Sequence, residues 1–349
     1  MEFGLMHEFQ PVPGATEAET FSDCMEQIDA AERLGLDAVW LADLHFVPLL
    51  SVSSSPLVVA AAIAARTARI KIGTAVQIVP LCHPLRLAED VATIDHLSRG
   101  RFIFGVGRSN FPGAYKVFGI PYAESGDRLS ETLEVLKLAW TEPAFSYEGT
   151  YYRFHKVTVV PKPLQKPYPA IRVAVETVDS AVAVARLGLP IFVSVRLGTF
   201  LDLVPLVRAY REAFGAAGHG GEGKIYLRVP LHLADTDDRA RDEAEASVMG
   251  FMRHVAELLE SSAKGPSGST DERRIRLAAT HRGMSHDDVL REHAIVGSAE
   301  ATIDRLRALR QELGLDGILA QVNCGGGFSH QRVMKTLKLL CLNVMPQFR

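Results

Sequence analysis

Arg108 stands directly after a short apolar run, RFIFGVG at 101–107, that predicts a buried strand. In parallel α/β sheets, ligands bind at the carboxyl ends of the strands, so Arg108 lies where a phosphate or carboxylate would dock. The planar guanidinium can bind two oxygens of such an anion at once. The alternative is a surface arginine that pairs with a nearby carboxylate of the protein.

A second candidate anion site is the segment ETVDS at 176–180, which opens a helix after the apolar run IRVAVE. Free backbone N–H groups at a helix start, together with the hydroxyls of Thr177 and Ser180, can form a cradle for a phosphate. Ordinary N-capping by Thr177 or Asp179 explains the same residues without a ligand. Because Arg108 comes from the strand before it, the two features together favour a phosphate site.

Candidates for acid–base chemistry follow the first two strands. Asp43 and His45 come after the run AVWLA, and an imidazole at this place can act as a base, a proton donor or a metal ligand. No second His or Cys stands at ligand spacing, so we expect no metal. His7 follows the first strand and faces either the mouth or the interior of the sheet. A structural role is the alternative for both histidines.

The elements that would position these residues alternate between strand and helix. Apolar runs predict strands at 2–9, 38–43, 70–79, 101–107, 171–176, 190–195, 226–234 and 317–323. Helices are predicted at 19–34, 56–65, 84–97, 127–140, 179–187, 200–215, 237–260, 298–313 and 329–342. Eight strands and this length favour an α/β fold, a single-domain (β/α)8 TIM barrel over 1–349, above a doubly wound open sheet.

Two insertions interrupt the alternation. Residues 141–170 predict a hairpin that turns at Glu148-Gly149, followed by a proline-rich connector. Residues 261–294 are polar and without a strong period, which predicts a mobile, lid-like loop.

Composition narrows the classes of function. The 349 residues are 47% hydrophobic and 23% charged with a net charge of −3, which is typical of a soluble globular protein and argues against nucleic-acid binding. Neither a signal peptide nor a long apolar run is seen, so we expect a cytoplasmic protein without a membrane span. The four cysteines form no CxxC pair, so we expect reduced thiols, mostly in the core.

Several long segments together resemble the bacterial luciferase-like flavin-dependent monooxygenases, over about 1–215 and 296–347. They are IGTAVQIVPLCHPLRLAEDVATIDHLSRGRFIFGVGR (72–108), KVFG (116–119), FHKVTVVP (154–161) and VAVETVDSA (173–181). The resemblance implies a TIM barrel that binds reduced FMN as a co-substrate and uses O2 to oxidise a small organic substrate. It also implies a separate NAD(P)H:flavin reductase and a homodimer.

The resemblance assigns site residues as well. The implied flavin phosphate site comprises Arg108, Glu176, Thr177 and Ser180. The segment Thr74-Ala75 is expected to lie against the flavin ring, at a place where the family has a non-proline cis peptide bond. Asp43 and His45 are the expected catalytic residues.

The chain departs from the luciferases at two places. The strand-two motif reads Asp43-Leu44-His45-Phe46, without the first of two histidines, so light emission is not expected. Gly107 replaces a cysteine beside the flavin, which predicts extra space over the ring.

Three functions therefore stay open at this stage: a monooxygenase, a deazaflavin-dependent hydride-transfer enzyme on the same barrel, and a non-catalytic flavin-binding or partner subunit. The substrate cannot be derived from any motif. The alanine-rich helix around Val58–Ala65 can pack either on a second copy or on the chain's own sheet.

Overall fold

Parallel strands surrounded by helices form the fold, and the computed structural model describes residues 1–263 and 271–349. The strands are β1 (Glu2–His7), β2 (Ala38–Leu41), β3 (Lys71–Thr74), β4 (Gln77–Ile78), β5 (Phe102–Gly107), β6 (Phe145–Glu148), β7 (Arg153–Val157), β8 (Ile171–Ala174), β9 (Ile191–Ser194), β10 (Ile225–Leu233), β11 (Ile295–Gly297) and β12 (Gly317–Gln321). The helices are α1 (Glu17–Leu34), α2 (Pro56–Arg66), α3 (Pro84–Leu97), α4 (Gly113–Phe118), α5 (Ser125–Thr141), α6 (Val178–Arg186), α7 (Phe200–Ala216), α8 (Asp237–Ala263), α9 (Glu272–Gly283), α10 (His286–Glu292), α11 (Ala299–Leu313) and α12 (His330–Leu339).

The sheet closes on itself, which confirms the predicted (β/α)8 barrel. Its order is β1-β2-β3-β5-β8-β9-β10-β12, and β12 pairs with β1 to complete the ring. All of these pairings are parallel. The carboxyl ends of the eight strands therefore meet at one mouth, where barrel enzymes carry their sites.

Trp40 fills the barrel interior, and glycines on both neighbouring strands make room for it. Its side chain is fully buried. A Cβ on Gly4 of β1 would come within 2.3 Å of the indole, and so would a Cβ on Gly73 of β3. The interior is thus a packed core, and ligands have access only to the mouth.

The prediction of one continuous third strand over 70–79 is wrong, because this segment forms two separate strands, β3 and β4. The peptide bond between Ala75 and Val76 is cis, and it separates β3 from the two-residue β4. Backbone pairing changes at the same point, because Ala75 N–H donates to Leu41 O on β2 while Gln77 pairs with Val106 on β5. The cis peptide bond that the resemblance implied near Thr74-Ala75 therefore lies between Ala75 and Val76.

The first insertion matches its prediction, and the second does not. Strands β6 and β7 form the expected hairpin, and the loop between them donates backbone N–H groups to the carboxylate of Glu131 on α5. Within 261–294, α9 and α10 replace the predicted loop. Asp271 caps α9 and Ser285 caps α10 in a capping box, which supplies the helix starts that weak periodicity concealed. Residues 264–270 of that insertion lie outside the described part of the chain.

Helix α2 packs on the chain's own barrel, which was one of the two alternatives for the alanine-rich segment. Its buried residues are Val59, Ala60, Ile63 and Ala64. Val58 on its other face stays exposed. Three of the cysteines are buried in the core and Cys82 is half-buried. In residues 1–263 and 271–349, no helix combines the length and apolar character needed to cross a membrane.

Candidate active site

Arg108 leaves the end of β5 at the mouth with an exposed side chain. Its Nη1 donates to Ser125 Oγ at 3.3 Å, and its guanidinium lies 5.8 Å from the ring of Tyr122. Tyr115 OH donates to the carbonyl of Arg108 and fixes the turn. Among the described residues no carboxylate pairs with Arg108 within 4 Å, so the alternative of a surface ion pair does not hold in the described structure.

Helix α6 begins after β8, which is the strand next to β5, as predicted. Strands β5 and β8 pair through Val106 and Val173, so Arg108 and the ETVDS segment lie side by side at the mouth. We call this group the Arg108 corner: Arg108, Glu176, Thr177 and Ser180. The register shows why a local sequence pattern located it, since Arg108 directly follows β5 and the ETVDS segment begins two residues after β8.

In this structure the hydroxyls of the Arg108 corner bond to each other. Thr177 caps α6 by accepting from Ser180 N–H at 3.2 Å, and Ser180 Oγ accepts from Thr177 N–H at 3.1 Å. The capping interpretation is therefore correct for the hydroxyls. The N–H groups of Val178 and Asp179 are in the first turn, have no intrahelical partner and stay available to an anion.

Thr74 is fully buried, and its hydroxyl donates to Gly105 O at 2.6 Å. This bond holds the end of β3 against β5. A Cβ on Gly105 would stand 1.7 Å from Thr74 O, so only glycine allows the two strands to approach this closely. Ala75 follows and is nearly buried in the barrel core. Thr74 thus sets the position of the segment and directs no free polar atom to the mouth.

The predicted extra space at Gly107 is wrong. A Cβ there would meet Val76 Cγ2 at 2.7 Å and the Ala174 side chain at 3.5 Å. Val76, which follows the cis bond, fills the volume that a larger residue 107 would need. The exchange of cysteine for glycine is compensated by Val76 and does not open a cavity.

Asp43 and His45 come together at the end of β2, as predicted. His45 Nε2 lies 2.9 Å from Asp43 Oδ1, although the ring N–H is not aligned for a hydrogen bond. The other carboxylate oxygen accepts from Gln77 Nε2 at 2.6 Å and from Ile78 N–H at 2.9 Å. Phe118 packs edge-on against the His45 ring at 5.1 Å. The carboxylate is therefore held in place by Gln77 and Ile78, and it lies next to Nε2 of the imidazole.

His7 belongs to the structural core. Its Nδ1 accepts from Phe9 N–H at 3.3 Å, so Nε2 is the protonated atom and donates to Gln27 Oε1 at 3.0 Å. Gln27 in turn contacts His330 Nδ1 at 3.2 Å. Burial lowers the pKa of His7 to about 4 despite the bond to Gln27, which raises it. His7 is thus neutral and directed to α1, away from the Arg108 corner.

The opposite side of the mouth holds a group of charges that the sequence did not predict. Glu8 follows β1, and its Oε1 accepts from Arg228 at 2.6 Å and from Arg196 at 3.2 Å. Gln321 Nε2 donates to its other oxygen at 2.5 Å. We call these four residues the Glu8 cluster. The available signals were Glu8 and Arg196, which stand at the ends of the predicted first and sixth strands, and Arg228, a charge inside the otherwise apolar run YLRVPLHL.

Charges from both sides act on Glu176. Its side chain is exposed at the mouth, yet the protein around it removes part of its hydration and raises the pKa of the carboxyl. The positive charges of Arg196, Arg108, Arg274 and Arg228 lower it in part. Burial therefore outweighs the four arginine charges at Glu176, although those charges attract an anion.

Helix α9 crosses the mouth and is bonded to both sides. Arg274 Nη1 donates to Asn110 O, beyond β5, at 2.8 Å. His281 Nε2 lies 2.8 Å from Arg196 O, beyond β9. The predicted lid segment thus holds a helix that bridges the loops next to the Arg108 corner and the Glu8 cluster.

The fold is an α/β barrel whose mouth carries the Arg108 corner at the ends of β5 and β8. A family model described as luciferase-like monooxygenase matches residues 1–317, and the chain belongs to this family of oxidoreductases. The resemblance found in the sequence is thereby confirmed.

Named relatives cover almost the whole chain. An alkanal monooxygenase alpha chain of Photorhabdus luminescens is 30% identical over 360 residues, which span 99% of this chain and 97% of that protein. The oxygenase component of a flavin-dependent trigonelline monooxygenase of Acinetobacter baylyi is 24% identical, and the match spans 100% of this chain and 96% of that protein.

Solved structures share the fold over the full length. The monooxygenase RslO1 from Streptomyces bottropensis has a TM-score of 0.84 at 26% identity and covers 100% of both chains. The oxygenating constituent of 3,6-diketocamphane monooxygenase of Pseudomonas putida, solved with FMN, has a TM-score of 0.82 at 21% identity. The match covers 99% of this chain and 98% of that chain. A coenzyme F420-dependent tetrahydromethanopterin reductase of Methanopyrus kandleri has a TM-score of 0.75 at 18% identity. The match covers 100% of this chain and 99% of that chain.

Proposed function

We propose that this protein is the oxygenase component of a two-component monooxygenase, which uses reduced FMN and O2 to oxidise a small organic substrate. The observation that carries the proposal is the Arg108 corner, where an exposed guanidinium with one hydroxyl partner lies beside two unpaired N–H groups of α6. The guanidinium and the N–H groups of Val178 and Asp179 are donors, so they fit a phosphate, and the Glu176 carboxyl lies beside them. The relatives named above as flavin-dependent or FMN-bound support the same ligand.

The bound flavin supplies two electrons to O2, so that one oxygen atom enters the substrate and the other leaves as water. Arg108 and the α6 N–H groups would hold the phosphate of the flavin. Asp43 Oδ1 lies 2.9 Å from Nε2 of His45, so Nδ1 is the atom of the imidazole that would exchange a proton with a reacting group. Helix α9 covers the mouth and excludes water from the site.

We also propose that a separate reductase supplies the reduced FMN. The name of the Acinetobacter relative, an oxygenase component, supports such a partner. We further propose a homodimer through the exposed face of α2 around Val58. Light scattering of the purified protein, with Val58→Arg as the disrupting variant, tests the dimer.

Two measurements test the cofactor and the chemistry. Fluorescence titration is expected to show binding of FMN at micromolar concentration. Reduced FMN mixed anaerobically with the protein and then with O2 is expected to reoxidise with kinetics different from those of free reduced FMN. Absence of FMN binding, together with reoxidation at the free rate, would refute the proposal.

A deazaflavin-dependent hydride transfer is the second candidate, and the Asp43–His45 contact favours it. The acidic residue and histidine lie 2.9 Å apart at the end of β2, an arrangement that serves proton transfer without O2. The F420-dependent structural neighbour shares the barrel. Parallel titrations with FMN and with F420 discriminate: binding of F420 alone would replace the oxygenase proposal with this one.

A further inference from the structure

Arg196 is a buried cation whose donors are only partly used. Its side chain is 14% exposed. Nη2 bonds to Glu8 at 3.2 Å, and Nε is buried without a partner. Within residues 1–263 and 271–349, Nη1 donates no hydrogen bond either. A buried guanidinium in this state is costly unless something else accepts from it, since unsatisfied donors of a charged group lose hydration without compensation.

The charge of the Glu8 cluster is also unbalanced. One carboxylate serves two guanidiniums, and Arg228 has the shorter contact, 2.6 Å against 3.2 Å, as well as a bond to Gln321 Oε1 at 3.2 Å. Arg228 is thus the better satisfied of the two, and the excess positive charge falls on Arg196. Burial, and next the charge of Arg228, lower the pKa of Arg196 to about 10, so it stays protonated at neutral pH.

The structure holds Arg196 firmly in this position. Its N–H donates to Ser194 Oγ at 3.1 Å, and its carbonyl is bonded to His281 of α9. His293 Nδ1 lies 2.9 Å from the preceding carbonyl, Val195 O. Backbone and side chain are therefore both fixed, and a preorganised guanidinium binds an anion with little ordering cost.

The surroundings of Arg196 are apolar on one side. The ring of Phe111, in the loop after β5, lies 5.6 Å from the guanidinium carbon. A ligand at Arg196 would thus find a charge for its anionic group and an aromatic surface for its body. Arg196 follows β9, which neighbours β8, so the ligand would lie next to the Arg108 corner and under α9.

We propose that Arg196 binds the carboxylate of an organic acid, which is the substrate class of this enzyme. A carboxylate would accept from Nη1 of the guanidinium and would neutralise the excess charge of the Glu8 cluster. This inference rests on the proposed function, because it assigns the substrate side of a mouth whose other side binds FMN.

The test uses the protein with and without added FMN and three pairs of probes: acetate and acetamide, hexanoate and hexanamide, benzoate and benzamide. Each pair has nearly the same shape and differs in charge. Calorimetric titration is expected to show that at least one acid binds about tenfold or more tightly than its amide. If no acid binds more tightly than its amide, the inference is wrong.

Variants locate the binding. In Arg196→Met the preference for the acid is expected to disappear, while Arg196→Lys keeps part of it. Glu8 retains Arg228 in both variants, so the fold should survive, and a thermal melt checks this. Arg208→Met, at an exposed position on α7, is the matched control and should change nothing. An undiminished preference in Arg196→Met would overturn the assignment.

The FMN titrations keep this inference separate from the proposed function. If Arg196 contacted the flavin instead of the substrate, Arg196→Met would weaken FMN and riboflavin equally, which would also overturn the inference. If the protein binds the acids through Arg196 but does not bind FMN, the inference holds and the proposed function fails.

Discussion

The two sides of the barrel mouth use arginine in opposite ways. In the Arg108 corner the guanidinium is exposed, has one hydroxyl partner and lies beside a helix start. In the Glu8 cluster two guanidiniums are buried around one carboxylate. The first arrangement contributes little to folding and leaves its donors to a ligand. The second is part of the folded core, and removing its carboxylate leaves two uncompensated charges.

This difference separates binding from stability within one site. Substitutions on the Arg108 side should change ligand affinity and leave the fold intact. Substitutions on the Glu8 side should change the free energy of unfolding first. Each prediction below contrasts the two sides.

The largest effect is expected for Glu8→Ala. It removes the carboxylate that Arg196 and Arg228 share, and a buried pair broken in this way typically costs about 3 to 5 kcal/mol. Urea unfolding measures the loss. The matched control is Glu272→Ala, which breaks an exposed pair with Arg276 on α9 and should cost no more than about 1 kcal/mol. Equal losses in both variants would show that the Glu8 cluster is not a buried network.

A pH effect is expected behind the same cluster, at His7. Its pKa falls from 6.5 to about 4 on folding, so between these values the unfolded state binds a proton that the folded state does not. Stability therefore rises with pH across this window and is fully present above pH 6.5. Between pH 7 and pH 4, His7→Gln should lose about 2 to 3 kcal/mol less stability than the wild type.

Urea unfolding at several pH values checks the His7 prediction. The difference in slope is independent of any packing defect that the substitution introduces. Parallel pH profiles for the two proteins would contradict the assignment of a neutral, buried His7.

The capping residues give a smaller and more selective effect. Thr177 caps α6 in the Arg108 corner, and Thr199 caps α7 with the same capping box. Replacement of either by Ala should cost about 1 kcal/mol of stability. Only Thr177→Ala should also weaken FMN, because α6 alone is placed at the proposed phosphate. Equal FMN affinity in both variants would remove α6 from the cofactor site.

The sequence predicted the parts of the site that are local along the chain. Arg108 follows its own strand and ETVDS opens its own helix, so two short patterns and the parallel order of the strands were sufficient. The contact of Asp43 with His45 also joins near neighbours. The barrel followed from eight apolar runs of the right length.

The rest depends on contacts between distant segments. Glu8 meets Arg196 and Arg228 across 188 and 220 residues, and no local pattern relates them. Val76 fills the space beside Gly107 only because of the backbone path after Ala75, which composition does not reveal. Helices α9 and α10 lack a strong apolar period, so their capping residues, Asp271 and Ser285, were the only signals.

The most direct test of the account compares FMN with riboflavin, which lacks the phosphate, in wild type and Arg108→Ala. Fluorescence titration gives both affinities, urea unfolding checks the fold, and Arg208→Ala is the control. We expect Arg108→Ala to weaken FMN by about tenfold to a hundredfold, to leave riboflavin unchanged, and to alter stability by less than about 0.5 kcal/mol. An unchanged preference for FMN over riboflavin in Arg108→Ala would contradict the assignment of the Arg108 corner as the phosphate site.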